Sequence, residues 1–143
     1  MIHNSLYYDR LINRIQIKSG EVDKNHFREI KMKNKYLNAN EENAINLFTK
    51  KIRALLGEQL ISIKMFGSKV RGDFSQESDI DILMIVRDKN KIQREKIYDI
   101  LLDIDLKFDP KISLKIFTKE EFDQNKKLGS PFVFNVEKQG ISI

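Results

Sequence analysis

The chain has 143 residues but no cysteine, only two histidines and only two prolines. Without cysteine there can be no disulfide and no thiolate metal site, and the expected home is the reducing cytoplasm. His3 and His26 both lie far from the motif region described below, which makes zinc hydrolysis and histidine-based triads poor candidates. No apolar run approaches the length of a membrane span, and the N-terminus lacks a signal-peptide core, so no membrane role is expected. Internal repeats and low-complexity tracts are missing as well. What remains is 41% hydrophobic and 33% charged, the balance of a globular chain with a single core.

The net charge of +5 is unevenly spread. Residues 1–39 hold eight Lys/Arg against four Asp/Glu, whereas residues 40–143 hold eighteen against seventeen. The basic excess belongs to an N-terminal extension, 1–39, set apart from the main domain, 40–143. Such an excess suits contact with nucleic acid or an acidic partner, and equally suits a solvated helical face.

Within the extension, Leu6, Tyr7, Leu11, Ile12 and Ile15 recur at helical spacing, which predicts a helix over 6–17. A second, poorly patterned helix is predicted from Val22 to Leu37, after the Ser19-Gly20 break. Asn38-Ala39-Asn40 reads as a turn, with Asn40 as the N-cap of the next helix. That helix carries one apolar stripe, Ala44, Ile45, Phe48, Ile52, Leu55 and Leu56, and Gly57 ends it. Strands are predicted at about 60–66, 79–86 and 111–117. A helix over about 89–106 precedes Pro110, and the Thr118/Glu121 capping box opens another, through about Lys126. Pro131 starts a last short helix, Gly140 stops it, and 141–143 forms an edge strand.

Alternation gives each strand two unlike faces. Ile61, Ile63 and Met65 oppose Ser62 and Lys64. Ile80, Ile82, Met84 and Val86 oppose Asp79 and Asp81, while Ile112, Leu114 and Ile116 oppose Ser113 and Lys115. The expected sheet therefore has helices on one side and chemistry on the other.

The chemistry is carried by Gly67-Ser68, between the first two strands, and Asp79-Ile80-Asp81, opening the second. Residues two apart on a strand share a face, so both carboxylates project side by side, as suits Mg²⁺ or Mn²⁺ with substrate phosphates in its shell. Two acids opening an otherwise apolar strand are costly to place without a cation nearby. The Gly-Ser turn can offer backbone N–H groups and a hydroxyl to the same phosphates.

The pattern G-S-x10-D-x-D, with Arg71-Gly72-Asp73 inside it, resembles the minimal nucleotidyltransferases of the DNA polymerase β superfamily. The close match spans about residues 61–87, a weaker likeness runs on to the C-terminus, and nothing before about residue 40 takes part. The resemblance implies an α/β (α+β) nucleotidyltransferase fold, a small mixed sheet with helices on one face, plus the N-terminal helical extension. It also implies transfer of a nucleoside monophosphate, AMP from ATP or another NTP, with Asp79 and Asp81 as catalytic metal ligands. Gly67, Ser68 and Arg71 would bind the nucleotide. Asp73 is read as fixing the loop, Ser78 as holding it before Asp79, and Phe132 and Phe134 as core or docking contacts.

In that superfamily two carboxylates on the second strand and a third on the next one hold two metals. Here Ser113 stands at the third position, between Lys111 and Lys115. Three explanations stay open. Asp103, Asp105 or Asp109 supplies the missing oxygen, two carboxylates suffice with the acceptor's own groups, or the site no longer transfers. Several relatives pair with helical toxin-like proteins, so the acceptor is expected to be a toxin partner, a small molecule or RNA. A fold that inhibits a helical partner by association alone is the alternative, and nucleic-acid binding by residues 1–39 is a third reading.

Overall fold

The computed structural model describes residues 36–73, 75 and 78–143. Of the two helices expected over 6–17 and 22–37, everything up to residue 35 lies outside the described residues, while Tyr36 and Leu37, at the end of the second, form a turn rather than helix. The rest runs as helix α1 (Ala39–Leu56), a 3-10 turn (Gly57–Gln59), strand β1 (Leu60–Phe66) and the one-turn helix α2 (Ser68–Arg71). Strand β2 (Ile80–Val86), helix α3 (Arg94–Phe108) and strand β3 (Ile112–Thr118) follow. Helices α4 (Lys119–Lys127) and α5 (Pro131–Gln139) and the short strand β4 (Ile141–Ser142) complete it. The strands lie in the order β3-β2-β1-β4. β1 runs antiparallel to both β2 and β4, whereas β2 and β3 are parallel, joined by the α3 crossover.

The first helix starts earlier than its sequence suggests. Asn38, not Asn40, is the N-cap: its side chain accepts from Glu41 N–H at 2.7 Å, and Glu41 Oε1 accepts from Asn38 N–H at 3.2 Å. This reciprocal pair satisfies two orphan amides at once, which a cap at Asn40 would not. Asn40 instead donates its side-chain amide to the Phe108 carbonyl at 2.5 Å, tying α1 to the end of α3.

The main core lies between the sheet and the α1/α3 layer. Ala44, Phe48 and Ile52 meet Ile97 and Ile104 above Ile63, Met65, Ile80, Ile82, Met84 and Val86. Ile61 breaks the expected alternation and is 40% exposed. A bulge between Leu60 and Ser62 inserts one residue into β1, so that Leu60 takes the place beside the core and Ile61 turns out.

The mixed α/β class and the small mixed sheet are as the sequence reads. The helices, however, are not confined to one face. Leu83, Ile85, Phe122, Val133 and Val136 form a second, smaller apolar cluster on the opposite face, under α4 and α5. Leu83 and Ile85 supply the reason, because β2 is apolar on both faces beyond Asp81 and must be covered on both. Among the described residues, the end of the sheet that carries the aspartates is left open, with Asp79 exposed. Among the described residues no helix is long and apolar enough to cross a membrane.

Candidate nucleotide and metal site

The open end of the sheet gathers the end of β1 and the starts of β2 and β3. Their alignment follows from the turn before β3, where Asp109 and Lys111 take positive φ, 50° and 54°. That turn brings the Lys111 carbonyl within 2.9 Å of Ile80 N–H. Asp81 then sits between Phe66 on β1 and Ser113 on β3. Partners in register share a face, so the Ser113 hydroxyl does stand beside Asp81, where the resemblance calls for a carboxylate.

Gly67 adopts φ +82°, a conformation that L side chains rarely take. A Cβ there would overlap the Asp81 carboxylate. The turn therefore lies directly against the aspartate, and glycine is required for contact as well as for backbone shape. Gly67→Ala is therefore expected to displace the Asp81 carboxylate or the turn itself. The Gly67 carbonyl accepts from Val70 and Arg71 N–H, both at 3.1 Å, which closes α2 with Ser68 as its first residue. The first amides of a helix have no partner within it, so the Ser68 hydroxyl and amide head the turn.

Behind the turn, the nearly buried Lys69 places its ammonium 3.1 Å from Glu41 Oε2. Glu41 thus serves both the α1 cap and the anchoring of α2, a role that sequence alone does not disclose. A cavity of about 620 Å³ opens on this side, lined by Tyr36, Asn38, Glu41, Lys69, Ser78 and Asp109 among others, and neither Asp79 nor Asp81 reaches it.

Asp79 is exposed just before β2, and Asp81 is half-buried within it. Burial raises the Asp81 carboxyl above its ordinary value and the Asp79 charge pushes it the same way, while Lys115 and Arg71 draw it down. Two carboxylates that repel each other next to the Gly67 turn form a hard-oxygen donor set, which fits one Mg²⁺ or Mn²⁺. Among the described residues no group of three or more His, Cys, Asp or Glu is placed to hold a metal. Asp103 and Asp105 belong to α3, and Asp109 is its C-cap. That helix packs on α1 across the main core, on the face opposite to Asp81. The third carboxylate sought there is therefore not found.

Arg71 reaches the site's edge, held by Asp73 at 3.2 Å and by Gln139 Oε1 at 3.5 Å. Asp73 thus acts as a loop partner, as expected. Ser78 also holds the loop, accepting from Ser75 N–H at 2.9 Å. Phe132 is not simply a core residue. It lies edge-on to Phe66, at 5.3 Å between centroids, and carries the Lys115 ammonium 4.5 Å from its own centroid. Sequence reading passed over this wall because its parts come from β1, β3 and α5. Lys115 on the aspartate face was the one signal available.

The family model for nucleotidyltransferase domains matches residues 45–139. Two proteins of Methanocaldococcus jannaschii named "putative protein adenylyltransferase" are similar to this chain. One is 32% identical over 69% of this chain and 94% of its own length. The other is 33% identical over 71% of this chain and 95% of its own. A solved structure of a "putative nucleotidyltransferase" from Sulfolobus solfataricus is a looser match, with TM-score 0.40 and 17% identity over 74% of this chain and 87% of that one.

Proposed function

The chain belongs to the nucleotidyltransferase-domain family, and from that premise we propose that it moves AMP from ATP to a hydroxyl of a protein acceptor, with one Mg²⁺. The observation that carries this reading is the contact of the Gly67 turn with Asp81, beside Asp79. It joins a phosphate cradle to a carboxylate pair in a space that a single methyl group would fill. The protein acceptor is suggested by the names of the two archaeal relatives. A helical toxin-like partner is the acceptor we favour, in the cytoplasm, with which a chain free of cysteine is compatible.

In this reading the Ser68 hydroxyl and the amides heading α2 hold phosphate oxygens, and Arg71 leaves Asp73 to pair with another. Asp79 and Asp81 would hold the cation, which neutralises phosphate charge when bound. The acceptor oxygen attacks the α-phosphorus, and the bond from that phosphorus to the bridging oxygen breaks. Pyrophosphate departs with the electron pair, and the hydroxyl proton passes to solvent. The protein's part is positioning and electrostatics rather than covalent work.

The test is transfer of label from α-labelled ATP to a protein acceptor. Label should appear with Mg²⁺ or Mn²⁺ and vanish in the Asp79→Asn/Asp81→Asn variant. Equal labelling in that variant, or none in the natural chain with any NTP, would sink the enzyme reading. The register of Ser113 with Asp81 favours a second reading, in which the fold only binds and blocks a helical partner. Inhibition of the partner that survives the double Asn substitution would establish it. The basic residues 1–35 we take as a separate extension, with nucleic acid as their lesser possible ligand.

A further inference from the structure

The aspartate face carries a cation whose position is set by more than its own strand. Parallel pairing puts Ser113 against Asp81 and Lys115 against Leu83, so Lys115 stands one step farther along the same face. Its ammonium rests 4.5 Å from the Phe132 centroid. Phe132 packs against Phe66 at 5.3 Å and against Phe117 at 5.6 Å between centroids. Phe66 is in turn the β1 partner of Asp81. These contacts hold the Lys115 ammonium against an aromatic wall whose far side, Phe66, pairs with Asp81. An ammonium over an aromatic face keeps its charge accessible while its stem is held.

A serine beside a lysine is the wrong equipment for a second divalent ion, because the ammonium repels one and the hydroxyl adds no charge to hold it. The same pair suits a polyphosphate. We propose that Lys115 stands in for the second cation: the site takes one divalent ion on Asp79 and Asp81, and Lys115, steered by Phe132, binds the triphosphate of the incoming nucleotide. As pyrophosphate leaves with the electron pair of the broken phosphorus–oxygen bond, its growing charge meets a fixed ammonium. This rests on the nucleotidyltransferase reading and refines it.

The test counts bound Mn²⁺ by electron paramagnetic resonance on the full chain with a non-hydrolysable ATP analogue. Calorimetry then measures the affinity for inorganic triphosphate without metal. One Mn²⁺ per chain is expected. Lys115→Met should weaken triphosphate binding about tenfold or more, with Mn²⁺ affinity in the absence of nucleotide kept or raised, and Lys115→Arg should retain most of the phosphate affinity. Lys115 is exposed, so an unchanged melting temperature verifies the fold of each variant. Two Mn²⁺ per natural chain, or unaltered triphosphate affinity in Lys115→Met, would overturn the assignment and leave the nucleotidyltransferase reading standing. Failure of the natural chain to bind the analogue with Mn²⁺ would overturn both.

Discussion

Asp81 concentrates the conflict on which the site depends. Its carboxyl is raised by burial and by Asp79, with Lys115 and Arg71 offsetting only part. A carboxyl whose folded value lies above its unfolded one stabilises the fold when protonated. That contribution is complete below the unfolded value of 3.8 and is lost as pH rises through the folded value. The metal-free protein should therefore lose stability across that interval, and Asp81→Asn should remove this part of the loss. Melting temperatures of both proteins from pH 3 to 7, without metal, provide the check. The variant should gain on the natural chain as pH rises, and equal slopes would refute the account. Adding Mn²⁺ at pH 7 should restore the natural chain alone, by binding only its folded form.

These residues were also the most legible. Alternation put Asp79 and Asp81 on one face and Ser113 on the matching face of β3, because a period of two leaves a strand little freedom. Gly67 was legible as a turn glycine but not as a neighbour of Asp81, since close approach is a fact of three dimensions. The Lys115–Phe132–Phe66 contacts lay beyond reach for the same reason: the three residues come from three elements, and no periodicity links α5 to β3.

At the scale of elements, the strands fell within a residue or two of their expected bounds, whereas helix starts moved more. The helix α3 begins at Arg94, not near Lys89. Asp88 instead accepts from Asn90 N–H at 2.9 Å in a local turn, Ile92 is buried in the core, and Lys89 pairs with Glu121 at 2.7 Å. Polar side chains that bond their own backbone compete with a helix start, and apolar spacing does not register that competition. The Thr118 cap did appear where expected, with Glu121 N–H donating to its hydroxyl at 3.1 Å.

The buried Lys69–Glu41 pair, 3.1 Å apart, is the element-scale link between α1 and the Gly67-Ser68 turn. Glu41→Gln preserves the geometry of the capping box but leaves the Lys69 charge without its carboxylate. A loss of about 2–4 kcal/mol is expected. Adding Lys69→Met tests the pair as a unit: the loss in the double variant should be smaller than the sum of the two single losses. Denaturant unfolding of the two single variants and the double would measure the coupling. Additive losses would mean that the pair is not a unit. The same series read for ATP affinity should show Glu41→Gln weakening binding, because α2 is held through Lys69.

For the whole molecule, the question is where the independent folding unit begins. The domain match starts at residue 45, but the physical boundary lies earlier. Asn38 caps α1, Leu37 packs on the main core, and the Tyr36 ring occupies the space beside Gly72 that a Cβ would need. A cut after residue 37, which an Asn40 cap would have permitted, removes two of these three supports. A cut before Tyr36 keeps all three. Among the described residues, the main core from Ala44 to Ile141 and the smaller cluster under α4 and α5 draw on several elements each, and this fragment is expected to unfold in one cooperative transition. It should also shed most of the basic surplus, since residues 1–35 hold the eight Lys/Arg of the extension and its four Asp/Glu. Urea unfolding of residues 36–143 and of the full chain tests this directly. The expected result is a sharp transition in the fragment and Mn²⁺-dependent ATP binding equal to that of the full chain. A broad, non-cooperative transition would mean that Leu6, Leu11 and Ile15 complete the main core. A folded fragment that binds ATP but transfers nothing would instead assign the extension to the acceptor.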